Sequence, residues 1–557
     1  MHQRRFALVV LLIALTLVVL RGGGDSGAAA VAGPPDAGAA PVVAPPARPV
    51  PVPATEMLGP PTPSPDMLVR AQSRFEARER AAQKRRRAAA RVAEARRLRR
   101  SRSVPGALRR AWLVHAISRR EYDALRATWW RANRDVQRLT GIRRAELGSV
   151  VAMASRLASA RLLKPSRLEP VFLTIRRNRE FWITRPLPRP GERLTFRGDP
   201  VVFEYYSGRG LAIQPLASFG KANALAGSCL RLAKHFPCRP AALRRLLERM
   251  LALGTERGGF LAWEYLIDFG SGAPPWISGM TQATGAQALA RGRRALGDAR
   301  FGRAAKRALG AFDRPTPLGV AVANGQGRRY TMYSFAPRLR IYNGELQALI
   351  GLHDVARISG SRRAQALYAR GEPVARRSVA ALDTGAWSIY SEGGAESSLN
   401  YHRLVGTFLQ GMCTRTGVRT YCAAGKRFAR YIGEPPRVRV TRATGREPFT
   451  RRRTAITFTL SKVSHVMVEV RDRRGRVAMA RGMRLTRGRH RIVWVPKRVG
   501  RHRLKIVAVG PAGTRAVVQR TVIAKAVPKK KSKKARAAAR KRARAEARER
   551  AARSSAR

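Results

Sequence analysis

The sequence predicts a multidomain α+β protein in which a helical domain lies between two β regions. From about residue 211 to 433, apolar residues recur at the three- and four-residue spacing of helices. Residues 170–206 and 438–524 instead carry short β-branched and aromatic runs separated by turn residues. The chain has 557 residues and is 45% hydrophobic, so it can bury a sizeable core. A wholly disordered protein is therefore excluded.

The N-terminus has the pattern of a secretory signal. Basic residues precede an apolar run from Phe6 to Leu20, and Arg21 and a Gly/Ala-rich stretch follow it. We predict that residues 1–22 are a signal peptide or a signal anchor, because the run is short for a membrane span of about twenty residues. The chain is then exported, either secreted to the cell envelope or held at the cell membrane by this single anchor. Residues 23–66 are rich in Pro, Ala and Val, which predicts an extended linker.

The formal net charge is +77, and its informative part lies in clusters near the two ends. Residues 67–105 and the tail 525–557 combine high helix propensity with almost no apolar face, which predicts solvated basic helices or disordered tails. Because the chain is predicted to be exported, we expect anionic lipid, wall polymer or acidic polysaccharide as partners of these ends rather than nucleic acid. A solvated tail with no specific partner is the alternative.

Residues 106–437 are predicted to form one domain. Helical spacing continues to about residue 168, and residues 170–206 then carry four strand-like runs, VFLTIRR, EFWITR, RLTFRG and VVFEYY, which predict antiparallel hairpins. Between about 211 and 433, helix-length segments such as ALRRLLERMLALG and NGELQALIGLHDVARISG alternate with Gly-rich loops. Helices in such a succession predict helical hairpins arranged in a ring, an (α/α) toroid.

The four cysteines form two evenly spaced pairs. Cys229 and Cys238 are nine residues apart, as are Cys413 and Cys422, and a helix-like run follows each pair. In an exported chain this pattern predicts two local disulfides, each across the loop between two helices. Zinc binding is the alternative, but CxxC spacings and a His cluster are missing, so no metal site is predicted.

Residues 438–524 alternate polar and apolar side chains over several strand-length runs, as in ITFTLSKVSHVMVEV and HRLKIVAVG. A period of two residues places one side of each strand in a core. The pattern predicts an immunoglobulin-like β-sandwich. Its sequence indicates no chemistry.

Four loop stretches of the helical domain, which begin at Phe203, Pro274, Arg328 and Leu382, hold tyrosines and glycines where packed helices would hold apolar residues. The last three stretches contain four motifs in order, with the residues Trp276, Ser278, Met280, Gln282; Tyr333, Pro337, Asn343, Gly344, Leu349 to Leu352; Asp383, Thr384, Gly385, Ile389, Tyr390; and Tyr401, His402. In these motifs and their order, the segment resembles the C-terminal domain of the D-glucuronyl C5-epimerases, which invert glucuronate to iduronate in heparan-type polymers. The resemblance implies an isomerase that acts on an acidic polysaccharide without a cofactor. Homodimers occur in this family, so a homodimer is expected.

Epimerisation at C5 needs a base and an acid on opposite faces of the sugar, and cations to neutralise the growing enolate charge. By resemblance, the catalytic tyrosines correspond to Tyr333, Tyr390 and Tyr401, and nearby arginines would lower the pKa of such a phenol from about 10. Arginine also binds a carboxylate in bidentate fashion. The residues expected to bind substrate are Arg338, Arg340, Asn343, His402, Arg403, Trp276, Gln282, Tyr206 and Arg209.

One motif position departs from the family pattern. Family members have a Glu, proposed as a base, before the tyrosine that corresponds to Tyr333, whereas this chain has Met332. The base is then Tyr333 or Tyr401, or a carboxylate from another position in the chain. The candidate carboxylates are Glu345, Glu392 and Glu396. Two other functions stay open: a polysaccharide lyase on the same toroid, which begins with the same proton abstraction, and a non-catalytic glycan-binding protein of the cell envelope.

Overall fold

The computed structural model describes residues 65–98, 101–230, 232, 237–325, 327–442, 448–527 and 533–554. The predicted signal and almost all of the predicted linker lie outside the described residues. The described chain divides into two compact units. The smaller contains the residues up to Arg138 and Ala154–Pro165, and the larger contains Leu139–Met153 and the residues from Ser166 onward.

The smaller unit is helical. Its helices are α1 (Pro65–Leu98), α2 (Val104–Leu113) and α3 (Arg119–Arg138). Ser103 caps α2, because its Oγ accepts a hydrogen bond from the backbone N–H of Gly106 at 3.2 Å. Most of the described side chains of α1 are exposed, as expected for a charged helix with almost no apolar face.

Two helices and a small antiparallel sheet precede the helical hairpins. They are α4 (Gly141–Ser159), α5 (Pro165–Thr184), β1 (Arg193–Phe196), β2 (Asp199–Tyr206) and β3 (Gly210–Ile213), with strand order β1-β2-β3. Two of the four predicted strands are wrong, since VFLTIRR and most of EFWITR lie in α5. Every residue from Val171 to Ile175 is buried, and a helix buried on all sides gives the same unbroken apolar run as a buried strand.

The turn between β2 and β3 is held by a buried carboxylate. Glu146 accepts hydrogen bonds from the backbone N–H of Gly208 at 2.7 Å, from that of Gly210 at 2.6 Å, and from the Tyr205 hydroxyl at 2.7 Å. Gly210 has a φ of 75°, and a Cβ there would lie 2.6 Å from Asn178 Oδ1. These contacts fix the end of β2 that carries Tyr206.

The helical hairpins predicted from the sequence are confirmed. The helices are α6 (Pro215–Cys229), α7 (Pro240–Ala252), α8 (Gly279–Leu296), α9 (Ala299–Ala308), α10 (Gly310–Asp313), α11 (Tyr342–Ser359), α12 (Arg362–Leu382), α13 (Leu399–Thr416) and α14 (Arg419–Gly433). Helix α6 pairs with α7, α8 with α9, α11 with α12, and α13 with α14. The first helices also pack on each other in sequence, α6 on α8, α8 on α11, and α11 on α13. Gly351 permits one such approach, because a Cβ there would lie 2.6 Å from the Ala283 carbonyl oxygen.

Two short strand pairs that the sequence did not predict interrupt the helices. They are β4 (Thr255–Arg257) with β5 (Phe260–Ala262), and β6 (Ala321–Asn324) with β7 (Gly327–Tyr330). Both pairs are antiparallel and lie within the Gly-rich connections. Strands of three or four residues are too short to leave a clear alternating pattern in a sequence.

Both predicted disulfides are present. Cys229–Cys238 joins the end of α6 to the residues before α7, with a Cα–Cα distance of 4.4 Å. Cys413–Cys422 joins α13 to α14, with a Cα–Cα distance of 4.7 Å. Two disulfides are typical of a protein outside the cytoplasm. Among the helices that the structure describes, none is both long and apolar enough to cross a bilayer.

Two antiparallel sheets follow the helical hairpins and share one core. The strands are β8 (Val438–Arg442), β9 (Thr454–Leu460), β10 (Ser464–Asp472), β11 (Val477–Leu485), β12 (Gly488–Trp494), β13 (Gly500–Val509) and β14 (Arg515–Ala524). Their orders are β12-β9-β8 and β11-β10-β13-β14. Phe458 and Trp494 of the first sheet pack in one cluster with Val468 and Ile506 of the second. The sheets form a β-sandwich, and its immunoglobulin-like identity stays a prediction. Helix α15 (Lys533–Ser554) follows, with its described side chains exposed.

Candidate active site

The three motif tyrosines lie together although they come from separate segments. Tyr333 follows β7, Tyr390 lies in the loop between α12 and α13, and Tyr401 lies in the first turn of α13. The rings of Tyr390 and Tyr401 meet edge to face, with centroids 4.7 Å apart. The Tyr390 hydroxyl is within hydrogen-bonding reach of the hydroxyls of both Tyr333 and Tyr401. Ser398 fixes the start of α13, because its Oγ accepts a hydrogen bond from the Tyr401 N–H.

Tyr390 and Tyr401 line a small, half-open cleft. The other lining residues are Tyr342, Asn343, Ile389, Ser397 and Val405. The cleft thus combines phenolic hydroxyls and an amide with apolar walls.

The three phenols differ in how well each would carry a negative charge. Burial raises the pKa of all three. Hydrogen bonding with Tyr401 and Tyr333 opposes this rise at Tyr390, whereas interaction with Tyr390 raises the pKa of Tyr333 and Tyr401 further. The charge of Glu204 also raises the pKa of Tyr401. Of the three, Tyr390 is the phenol at which hydrogen bonds from the other two oppose the rise in pKa.

An aromatic cluster supports Tyr333 from behind. Trp276 stacks on Tyr265 with ring centroids 4.2 Å apart, and it meets Tyr333 edge to face at 5.6 Å. Phe269 and Phe335 contact Tyr333 at 5.2 Å and 5.5 Å. The Trp276 indole N–H donates to the Ile267 carbonyl at 2.9 Å. Trp276 is buried, and it packs against Tyr333 instead of facing solvent.

A polar network from the small sheet reaches the same region. Glu204 is buried and accepts hydrogen bonds from Arg193 Nε at 2.9 Å and from Gln214 Nε2 at 3.2 Å. Gln214 also donates to the Tyr206 hydroxyl at 2.9 Å, and its Oε1 accepts from the Tyr265 hydroxyl at 3.1 Å. The sequence indicated Tyr206 but not Arg193, Glu204, Gln214 or Tyr265. The sequence could have indicated Glu204, because side chains two residues apart in a strand lie on the same face, and Glu204 is two residues before Tyr206 in β2.

The first turn of α11 presents buried polar atoms that lack partners. The Tyr342 hydroxyl, Asn343 Oδ1 and Glu345 Oε1 are buried without a hydrogen bond. The other oxygen of Glu345 accepts from Arg340 Nε at 3.0 Å, and both side chains are nearly inaccessible to solvent. Burial raises the pKa of Glu345, and Arg340 partly opposes that rise. Arg340, expected to hold a substrate carboxylate, is thus already paired, while Asn343 does line the cleft.

Two predicted substrate-binding residues belong to the core instead. His402 has no solvent exposure; its Nε2 donates to the Phe428 carbonyl at 3.0 Å, and its Nδ1 accepts from Ser388 Oγ at 2.8 Å. Gln282 is equally buried, accepting from the Trp263 N–H at 2.9 Å and donating to the Leu261 carbonyl at 3.1 Å. Their polar groups are thus already bonded within the protein, and their binding of substrate stays a prediction.

The remaining predicted arginines are exposed. Arg209 lies in the turn between β2 and β3, Arg338 in the loop before α11, and Arg403 near the start of α13. Their binding of a substrate carboxylate stays a prediction. Within the described residues, no group of three or more His, Cys, Asp or Glu side chains is arranged to hold a metal ion.

Comparisons with known proteins agree with the motifs. Residues 257–430 match the family described as D-glucuronyl C5-epimerase C-terminus, which confirms the predicted resemblance for that segment. No curated protein shows significant sequence similarity to the chain.

Solved structures similar to the chain include two epimerases and a glycosidase. Cellobiose 2-epimerase from Bacillus thermoamylovorans aligns with a TM-score of 0.30 and 11% identity, over 39% of this chain and 59% of that chain. The GH76 α-mannanase from Bacteroides thetaiotaomicron aligns with a TM-score of 0.30 and 13% identity, over 43% and 66%. A sugar epimerase from a ruminal bacterium aligns with a TM-score of 0.32 and 12% identity, over 49% and 71%. This chain aligns with less than two thirds of the length of the cellobiose 2-epimerase and of the α-mannanase.

Proposed function

We propose that this chain is an exported or membrane-tethered uronate C5-epimerase that converts D-glucuronate to L-iduronate within an acidic polysaccharide. The observation that carries the proposal is that Tyr333, Tyr390 and Tyr401, from separate motifs, meet beside one cleft. Two of them, Tyr390 and Tyr401, line it. All three fall within the segment that matches the epimerase family. The two disulfides support export. The row of helical hairpins supports an (α/α) toroid.

Tyr390 is the proposed base. Its phenolate would accept a hydrogen bond from Tyr333 and, before substrate enters, another from Tyr401, and donors preorganised around a charge stabilise it strongly. The C5–H bond breaks, the proton goes to the Tyr390 oxygen, and the electron pair moves into the uronate carboxylate to form an enolate-type dianion. The cation that acts on this side of the site is Arg193, which is paired with Glu204 and only partly opposes the rise in the pKa of Tyr401.

Tyr401 is the proposed acid. The nearby charge of Glu204 raises the pKa of Tyr401, so this phenol keeps its proton until the carbanion at C5 accepts it from the opposite face. A sugar ring inserted between the two hydroxyls would have Tyr390 on one face and Tyr401 on the other. After product leaves, the hydroxyls return within hydrogen-bonding reach, and the proton passes from Tyr390 back to Tyr401.

Two of the three carboxylates considered as alternative bases are less suited to the role. Glu345 is paired with Arg340. Glu396 accepts two backbone hydrogen bonds from the β-sandwich, at 3.0 Å from Val463 and 2.8 Å from Arg487. Because the ion pair of Glu345 and the hydrogen bonds of Glu396 already engage their carboxylates, we favour proton transfer by the tyrosines.

A non-catalytic glycan-binding protein is the second candidate. Met332, which stands where the family has Glu, is buried in the aromatic cluster around Tyr333 and provides no proton acceptor. The unpartnered Tyr342 hydroxyl and Asn343 Oδ1 would suit sugar hydroxyls whether or not catalysis occurs. This candidate differs from the first only in chemistry at C5.

Deuterium incorporation at C5 tests the proposal. The full chain is incubated with unsulfated glucuronate polymers in deuterium oxide, and NMR reads the C5 label and iduronate. We expect label and iduronate in the wild type, and loss of both in Tyr390→Phe and Tyr401→Phe. Tyr421→Phe is the matched control, because this buried tyrosine in α14 bonds Glu372 at 3.0 Å and lies outside the cleft.

Three results would overturn the epimerase proposal. An unsaturated product absorbing in the near ultraviolet would indicate a lyase. Binding without C5 label across a panel of uronate polymers would indicate a glycan-binding protein. Equal losses in the control and the cleft variants would show that the tyrosine effects are not specific to the cleft.

A further inference from the structure

The loop that carries Tyr390 is a small paired structure that leads directly into the helix carrying Tyr401. Ile389 pairs with Glu396, and the Tyr390 N–H donates to the Ala395 carbonyl at 3.0 Å. The position of the Tyr390 backbone therefore depends on where Glu396 is held. Five residues after Glu396, the same chain reaches Tyr401.

Both carboxylate oxygens of Glu396 are held by the β-sandwich. Oε1 accepts from the backbone N–H of Val463 at 3.0 Å, in the turn between β9 and β10. Oε2 accepts from the backbone N–H of Arg487 at 2.8 Å, in the turn between β11 and β12. Hydrogen bonds to a charged acceptor are about twice as strong as neutral ones. Two separate turns of the sandwich thus bind one side chain of the loop.

Two cationic side chains add contacts between the same parts of the chain. The Lys462 ammonium is buried and donates to the carbonyls of Tyr431 and Glu434, both at 2.8 Å. It also lies 5.1 Å from the centre of the Trp387 ring, which belongs to the loop. Arg437 donates to the Gly385 carbonyl at 3.3 Å, at the other end of the loop. The sandwich therefore contacts the loop before and after Tyr390.

We propose that the β-sandwich positions the catalytic loop and that Glu396 is its main positioning residue. The inference rests on the proposed function, because its effect on rate requires Tyr390 to act in catalysis. A displacement of about 1 Å can lower a rate about 100-fold when proton transfer depends on the placement of the base. The sandwich is then a required part of the active enzyme rather than a spacer.

The test compares Glu396→Gln with Asp472→Asn in the full chain. Gln keeps the size of the side chain and one acceptor oxygen, but its amide nitrogen cannot accept the second backbone N–H. Asp472 is the matched control, since its Oδ1 also accepts from two backbone N–H groups, Arg474 at 2.9 Å and Arg476 at 3.1 Å, within a sandwich turn.

For Glu396→Gln we expect kcat for C5 exchange to fall at least tenfold with KM changed less than twofold, and faster amide hydrogen exchange in residues 385–398. Asp472→Asn should leave kcat and this exchange unchanged. Wild-type values in Glu396→Gln for both readouts would overturn the proposal, as would an equal loss of kcat in the control. If the wild type shows no C5 exchange on any polymer, the proposed function fails, and unchanged amide exchange in Glu396→Gln would then separately overturn positioning by the sandwich.

Discussion

Lowering the pH from 7.5 to 4.5 is expected to destabilise the helical domain through His402. This imidazole is fully buried, stacks on Trp387 with ring centroids 3.7 Å apart, and is bonded through both nitrogens. Its Nδ1 accepts from Ser388, so protonation of the ring removes a hydrogen bond and places a charge in the core. Burial accordingly lowers the pKa of His402 to about 4.

The size of the effect follows from the two pKa values of His402. In the unfolded chain the pKa is about 6.5, so between pH 6.5 and 4 the unfolded state binds a proton that the folded state does not. Stability is then fully present above pH 6.5 and falls as the pH is lowered through this window. At pH 4.5 the loss in the free energy of unfolding amounts to about 2.5 kcal/mol.

Urea unfolding at a series of pH values measures this loss, with tryptophan fluorescence as the signal. His402→Gln keeps a donor for the Phe428 carbonyl and removes the titrating group. Between pH 7.5 and 4.5, the free energy of unfolding of this variant should therefore fall by about 2.5 kcal/mol less than that of the wild type. His465→Gln, at an exposed position in β10, is the control and should follow the wild type. Parallel curves for the wild type and His402→Gln would refute the reasoning.

Three further outcomes are expected. Asp354→Ala leaves two partly buried arginines of α8 and α13 unpaired and should cost about 3–5 kcal/mol in urea unfolding, against at most about 1 kcal/mol for Asp313→Ala at a more exposed ion pair. Replacing both cysteines of Cys413–Cys422 by serine should lower the free energy of unfolding by about 2–3 kcal/mol, and a smaller loss would contradict the chain-entropy account. Glu204→Gln removes a charge that helps to keep Tyr401 protonated and should lower kcat for C5 exchange, whereas an unchanged kcat would exclude this role of Glu204.

The parts of the fold that could be predicted depend on contacts close in sequence. Helical hairpins and the bridges at Cys229–Cys238 and Cys413–Cys422 join neighbouring segments, so spacing alone indicated them. The run around Val171–Ile175 was misassigned because continuous burial hides the period that separates a helix from a strand. A local sequence pattern does not indicate which face of a helix or strand a distant segment of the chain will bury.

The same limit explains the candidate site. Tyr390 and Tyr401 were indicated by their motifs, but Glu204 acts on Tyr401 across almost two hundred residues of chain, and only the folded sheet brings them together. A motif also does not separate residues that face a ligand from residues that hold the loop. His402 and Gln282 belong to the second kind, since their polar atoms are bonded inside the protein.

Met332, which stands where the family has Glu, does not by itself argue against catalysis, because Glu204 provides a buried carboxylate near Tyr401. A carboxylate at position 332 would lie beside Tyr333, whereas Glu204, a buried carboxylate that acts on Tyr401, comes from β2 and is paired with Arg193. The charge of Glu204 raises the pKa of Tyr401, and the smaller effect of Arg193 opposes that rise only in part. A second carboxylate would raise the pKa of Tyr333 and Tyr390 further. The proposed roles of Tyr390 as base and Tyr401 as acid therefore rest on the hydrogen bonds among the three phenols and on Glu204, and they need no glutamate beside Tyr333.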